Sequence, residues 1–320
     1  MGINKRIICF ILLLLLFICA SVYVYLKINL YNYKSLKINY DDVVTSSSNF
    51  LVISSEDGNM RFYNKDFKAI KTIDCKDVKN MCCEDNLLLI LKKDGTVWKY
   101  DVDKDVSPSL IPSIENAETI SFGGVYLIYS DKANTYLMQI RNHTHPDCLN
   151  SNLTLYKSYQ IKNIENMKVV SNSYALALID NKCNLYITDK AKIIEENGDL
   201  NLKQYLSEDK IEFCYLSNNF SFVVNKDGMY YLTPYSDMSE KKDKTKVGKV
   251  KQFAFCENRY ILNSKGKLFE WGMHKSAISG NENISLLPER VCRFETFDAI
   301  YPTKDILFAK KENKIYKLKR

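Results

Sequence analysis

The sequence predicts an all-β fold, a seven-bladed β-propeller with one N-terminal transmembrane α-helix. Three observations predict it. Seven short apolar runs each end in a turn of Asp-Gly type and resume in a second apolar or aromatic run. These turns recur about every 40 residues, the length that four short strands and their connections occupy. Ahead of them Ile7 to Leu26 carries no charged residue.

The uncharged stretch comes first in the chain. Twenty helical residues at about 1.5 Å each cover the roughly 30 Å of a bilayer's hydrocarbon core. Lys5 and Arg6 precede it in a very short tail, and the positive-inside rule then places the N-terminus in the cytoplasm and the remaining chain outside. Lys27, Lys34 and Lys37 weaken that bias. The alternative is a cleaved signal peptide ending near Ala20-Ser21, which would release a secreted domain. Retention fits better, because the apolar run continues through Val22, Val24 and Leu26 and Ile18 puts a bulky residue two before Ala20. A lipid-attachment signal at Cys19 would need small residues where Phe17 and Ile18 stand. The organisation read from this is a cytoplasmic tail over 1–6, a membrane helix over 7–26, a linker or ring-closing strand over 27–39, and a propeller over 40–320.

The repeats follow. Leu51 to Ser54 leads into Asp57-Gly58, Leu87 to Leu91 into Asp94-Gly95, Val125 to Tyr129 into Asp131, and Tyr174 to Ile179 into Asn181. Phe220 to Val224 leads into Asp227-Gly228, Tyr260 to Asn263 into Lys265-Gly266, and Ile306 to Ala309 into Glu312-Asn313. Each pair reads as a β-hairpin. Two positions beyond the turn stand Met60, Val97, Thr135, Leu185, Tyr230, Leu268 and Ile315, apolar or aromatic in all but one unit, as a residue facing an inter-blade core would be. After Ile315 too little chain remains for an outer strand. Ile28 to Tyr40, rich in Ile, Leu and Tyr, is the natural donor of that strand; a plain linker from membrane to domain is the competing reading.

Composition agrees with a folded domain and narrows its partners. Of 320 residues, 46% are hydrophobic and 26% charged, ordinary globular values. The formal charge of +7 invites a nucleic-acid reading, but residues 1–40 hold five basic residues and no acid, so the propeller itself is close to neutral. Nucleic acid is therefore not the expected partner. Ten cysteines do not form a scaffold pattern. Cys9 and Cys19 lie in the apolar span, and Cys75, Cys82, Cys83, Cys214 and Cys256 sit in or near strand-like segments where a thiol serves as a small hydrophobe.

At Val250 to Val291 the repeat carries enough detail to compare. Lys265-Gly266, Phe269, Trp271-Gly272, Pro288 and Val291 resemble a unit of the regulator of chromosome condensation repeat family, with its Asp-Gly-like turn, aromatic strand ending in Trp-Gly, and later Pro-x-x-Val. Val78 to Ile111 is a partial second match through Asp94-Gly95, Val97, Trp98, Pro108 and Ile111, with Lys99-Tyr100 in place of Trp-Gly. Gly58, Gly95, Gly228, Gly266, Trp98, Trp271 and Gly272 are thus the expected structural repeat residues. The resemblance implies a propeller whose loops bind proteins. Nucleotide-exchange residues do not carry over, since Ser276 to Gly280 stands where Gly-Gln-Leu-Gly would follow Trp-Gly.

Catalytic signatures are sparse. The chain has no Gly-x-Ser-x-Gly, His-Glu-x-x-His, phosphate loop, Cys-x-x-Cys or dinucleotide fingerprint, and no cofactor is expected. Asp57, Asp94 and Asp227 recur at turns because an Asp side chain accepts local backbone hydrogen bonds. His143, His145 and Cys148, with Asp147, are the one dense group of potential metal ligands, although a polar loop explains them better than a zinc site with its four tight ligands. Lys241, Lys242 and Lys244 begin a basic run to Lys251 that a solvated loop explains, or that an anionic polymer or lipid surface would attract. Asn142, Asn152, Asn219 and Asn283 begin Asn-x-Ser/Thr triplets, which matter only in a eukaryotic secretory pathway. The function expected is a membrane-anchored, non-catalytic protein-binding module. The alternative is a binder of cell-wall glycan or anionic polymer, and a third reading is a hydrolase centred on the His143 group.

Overall fold

The computed structural model describes residues 11–23, 34–47, 49–84, 86–104, 106–123, 125–140, 154–161, 168–171, 175–180, 182–189, 193, 200, 202–204, 210–216, 221–225, 230–233, 247–255, 259–272, 285–291, 295–304 and 306–318. Beyond helical residues 11–23, their regular structure is β throughout. Strand β1 (Ser35–Lys37) stands apart from the sheet that follows it in sequence. That sheet is β2 (Val43–Ser46), β3 (Leu51–Ser54), β4 (Asn59–Tyr63) and β5 (Ala69–Asp74). The second holds β6 (Val78–Glu84), β7 (Leu87–Lys92), β8 (Val97–Asp101) and β9 (Ser109–Leu110). The third holds β10 (Thr119–Gly123), β11 (Tyr126–Ser130), β12 (Thr135–Gln139) and β13 (Ser158–Ile161). The fourth holds β14 (Lys168–Ser171), β15 (Ala175–Ile179), β16 (Leu185–Asp189) and β17 (Lys203–Gln204). Among the described residues the fifth has three strands, β18 (Ile211–Leu216), β19 (Ser221–Asn225) and β20 (Tyr230–Thr233). The sixth holds β21 (Val250–Phe255), β22 (Arg259–Asn263), β23 (Leu268–Gly272) and β24 (Ser285–Val291). The last holds β25 (Ala299–Pro302), β26 (Leu307–Lys311) and β27 (Lys314–Leu318), with β1 as its fourth strand.

Every pairing within these sheets is antiparallel, and the sheets stack as the blades of a β-propeller. Period-two alternation decides which core each side chain enters. In β7, Leu88 and Ile90 pack with Val52, Met60 and Phe62 of the first sheet. Leu89 and Leu91, pointing the other way, pack with Ile120, Leu127 and Met138 of the third. The same split recurs in β11, where Leu127 and Tyr129 face back and Tyr126 and Ile128 face forward onto Leu178. A second strand buried on both faces reads as an unbroken apolar run, which is why β3 and β11 are buried at every position. Strand β4 alternates instead, burying Met60 and Phe62 between half-exposed neighbours.

The last sheet meets the first. Phe308 and Ile315 share a core with Leu51, Ile53 and Ile38. Strand β1 lies antiparallel to β27, with Ser35 opposite Tyr316, Leu36 opposite Ile315 and Lys37 opposite Lys314. The segment before the first sheet therefore supplies the outer strand of the last one. Between the sixth and last sheets the Gln252 side-chain amide accepts from the Ile300 N–H at 2.8 Å and donates to the Ile300 carbonyl.

The membrane helix expected over 7–26 falls only in part on described residues. Among the described residues no helix is long and apolar enough to cross a membrane. Helical residues 11–23 are the described part of that span. Their side chains Ile11 to Phe17 are all exposed.

Phe62 is wholly buried between the first two sheets, its ring 5.7 Å from that of Tyr100 and 6.3 Å from that of Phe50. Phe62→Ala is expected to cost about 3–5 kcal/mol by urea denaturation. Ile70→Ala, at an exposed side chain, is expected to change stability by less than about 0.5 kcal/mol. Equal effects would contradict the inter-sheet core.

Candidate interaction surface

One face of the propeller is built from the hairpins between second and third strands and from the crossovers that lead to the next sheet. Gly58, Gly95 and Gly266 sit at the hairpin tips with φ of +80°, +84° and +70°. That backbone turns each carbonyl toward the crossover. Gly58 accepts the Cys75 N–H at 2.8 Å, Gly95 that of Ala117 at 2.9 Å, and Gly266 that of Phe297 at 2.9 Å. Cys183, at φ +63°, does the same for Ile211 at 2.8 Å, and Asn313, next to Glu312 at φ +52°, does it for Ile38 at 3.0 Å. Each tip thus clamps the chain on its way to the neighbouring sheet. At Gly95 a Cβ would stand 2.6 Å from Asn116 Cα and at Gly266 2.9 Å from the Phe297 carbonyl oxygen, so backbone packing as well as conformation selects glycine there.

Acidic and amide side chains finish these turns. Asp57 accepts from the Asn59 N–H and Asp94 from the Thr96 N–H and hydroxyl. Asp131, Asp180 and Asn263 work from the start of the turn, each accepting two backbone N–H bonds: Ala133 and Asn134, Lys182 and Asn184, Lys265 and Lys267. Arg61 pairs with Asp57, and with the Asn59 N–H it holds that carboxyl down to about 2. The Thr96 hydroxyl and N–H lower Asp94, and the Ala133 and Asn134 N–H groups lower Asp131. Burial pushes the Tyr129 and Tyr186 phenols and the Cys82 and Cys214 thiols up, and takes Tyr301 to about 12. Every resolved shift among the described residues moves its group away from neutral pH. At the described turns of this face the side chains supply fixed charge and hydrogen bonding.

A second feature escaped the sequence. Lysines lie over aromatic rings in the second and third sheets and in the turn before β13: Lys92 4.7 Å from the Trp98 ring centre, Lys99 4.5 Å from Tyr156, and Lys157 5.2 Å from Tyr159. Lys99 lies in β8 and Tyr156 in the turn before β13, and no local spacing signals their meeting.

The remaining sequence candidates divide by position. Gly58, Gly95 and Gly266 are the hairpin tips just described. Trp98 is half-buried, its indole N–H donating to Thr96 Oγ1 at 3.0 Å. Trp271 stands opposite Arg259 in β23, and Gly272 opposite Ser285 across a register shift. Gly228, the His143, His145 and Cys148 group, and Lys241, Lys242 and Lys244 lie outside the described residues. Among the described residues no group of three or more His, Cys, Asp or Glu side chains could hold a metal ion.

No protein-family model matches the chain, and no curated protein matches it. Solved structures do. Human WBSCR16 superposes at a TM-score of 0.59 and 12% identity, covering 89% of this chain and 89% of that one. Yeast RCC1 (Prp20) gives 0.59 and 12%, over 87% and 80%. Hsv2 of Kluyveromyces lactis gives 0.53 and 8%, over 84% and 90%. At these identities the likeness is one of fold, and RCC1-like propellers are among the structures that share it.

Two outcomes are expected from the turn geometry. Gly58 and Gly95 have nearly equal φ, and the conformation alone costs an alanine about 1–3 kcal/mol. A Cβ at Gly58 meets only the flexible Lys76 side chain, so Gly95→Ala is expected to destabilise more than Gly58→Ala in parallel denaturant titrations. Separately, Asp57, Asp94 and Asp131 have folded pKa values below the unfolded value of about 3.9. Their contribution is complete above that value and is lost as pH falls through the folded ones, because the unfolded chain then binds more protons. Thermal midpoints are expected to drop between about pH 4 and pH 2, and Asp94→Asn, which keeps an acceptor, to make that drop shallower.

Proposed function

We propose that the chain is a membrane-anchored, outward-facing, seven-bladed propeller that acts as a non-catalytic protein-binding module. The observation that carries the binding role is the repeated clamp of hairpin tip to crossover at Gly58, Gly95, Cys183, Gly266 and Asn313. It presents many loop side chains from one immobilised framework, so that little ordering cost falls on association. Tyr40, 83% exposed in the crossover from β1 to β2, offers an aromatic anchor of the kind that dominates interface energies. The fold likeness points the same way. Yeast RCC1 has been solved with Kap60 bound, and Prp20p of Saccharomyces cerevisiae is described with binding properties toward Gsp1p and histones. The seven-blade reading is supported by the seven sheets and by the pairing of β1 with β27. The anchor rests on the uncharged Ile7 to Leu26 and on the exposed apolar side chains of helical residues 11–23.

A second reading, binding of cell-wall glycan or another anionic polymer, is favoured by the lysine and aromatic pairs at Lys92, Lys99 and Lys157. Crosslinking in intact source cells, with the full-length chain carrying a C-terminal tag, separates the two. One recurrent captured protein is the expected outcome. Wall or polymer material without a protein would replace this reading with the second.

A further inference from the structure

The strands of each sheet alternate in direction, so the two faces of the propeller carry different connections. Hairpins and crossovers occupy one face. The turns between first and second strands, and between third and fourth strands, occupy the other. Hydrogen bonds across the turns of this second face confirm the grouping: Asn49, between β2 and β3, donates to Asn86, between β6 and β7, at 3.3 Å, and Asn86 donates to Asp103, between β8 and β9. Strand β1 begins on this second face. Ser35 stands opposite Tyr316, and the next residue, Lys317, reaches Asp66 in the turn between β4 and β5 at 3.4 Å. The other end of β1 leads to Ile38, bound to Asn313 on the hairpin face.

We infer that this second face rests against the anionic surface of the bilayer that holds the anchor, leaving the hairpin face to a protein partner. The inference rests on the membrane-anchored reading. Only residues 27–34 separate the expected span from β1, a stretch that reaches at most about 30 Å when fully extended. The tether enters at this face, so the face meets the bilayer without the tether having to run along the side of a blade. Its chemistry suits the contact. Lys34, Lys65, Lys68 and Lys304 are exposed there, and Asp66 beside Lys65 is paired with Lys317. Val106 and Leu155, in turns between third and fourth strands, and Ile70, at the start of β5, are exposed apolar side chains on the same side. Cations interleaved with apolar side chains are what an interfacial, anionic lipid contact requires.

The test uses the full chain reconstituted into vesicles of phosphatidylglycerol and phosphatidylcholine, with a photo-crosslinking amino acid placed at one position at a time. Lipid adducts are expected at Lys65, Val106 and Lys304 and not above background at Lys93, Lys132 and Lys265 on the hairpin face. Yields at the first three are expected to fall in vesicles of phosphatidylcholine alone. Adducts at the hairpin positions, or at none of the six, from chains that resist alkaline extraction would overturn the orientation and leave the anchor standing. Yields indifferent to phosphatidylglycerol would overturn the anionic contact. Chains that wash off the vesicles would overturn the anchored reading and this inference with it.

Discussion

The second strands β3, β7 and β11 are apolar on both faces, and that single constraint organises the molecule. Leu88 and Ile90 need the first sheet to leave water, and Leu89 and Leu91 need the third. A lone four-stranded sheet with this sequence would expose both apolar faces, and a packed pair would still leave its two outer faces uncovered. Each buried side chain of this size gains about 1.5–3 kcal/mol only when its neighbouring sheet is in place. The terminal sheets face the same problem, and the core that joins Leu51 and Ile53 to Phe308 and Ile315 is where it is solved. Pairing β1 with β27 then covers an edge that would otherwise offer unpaired backbone groups.

Stacking alone does not position the connections. The clamps between hairpin tips and crossovers do so, and they use the left-handed backbone that glycine adopts without strain. Where Cys183 occupies the same place at φ +63°, the hydrogen bond to Ile211 is kept, so the geometry is demanded by the architecture more strongly than by the residue. Carboxylates and amides at the turns accept further backbone N–H groups, which explains why Asp recurs there. The lowered pKa values of Asp94 and Asp131 are a by-product of that capping, while at Asp57 Arg61 is the larger cause. The result is a face rigid in backbone and varied in side chain, opposite a face through which the N-terminal segment enters.

Much of this is written locally. Period-two runs ending at Asp57-Gly58, Asp94-Gly95 and Lys265-Gly266 specify hairpins, because strand alternation and positive φ are properties of a few adjacent residues. The roles of Asp57 and Asp94 as turn acceptors follow equally from neighbours within two positions. The spans around His143 and Lys241 lie outside the described residues, as do both ends of the apolar stretch before β1.

The sequence by itself determined that this chain is a series of hairpins with two-sided apolar strands, and therefore that its sheets must stack. Tertiary structure alone decided which sheets meet, that Leu36 faces Ile315, that Gln252 holds the backbone at Ile300, and that Lys99 finds Tyr156. The physical reason is distance along the chain. Turn conformation and strand alternation are fixed by interactions among adjacent residues, whereas these contacts join segments tens to hundreds of residues apart, whose closure entropy is met only once the intervening sheets have packed.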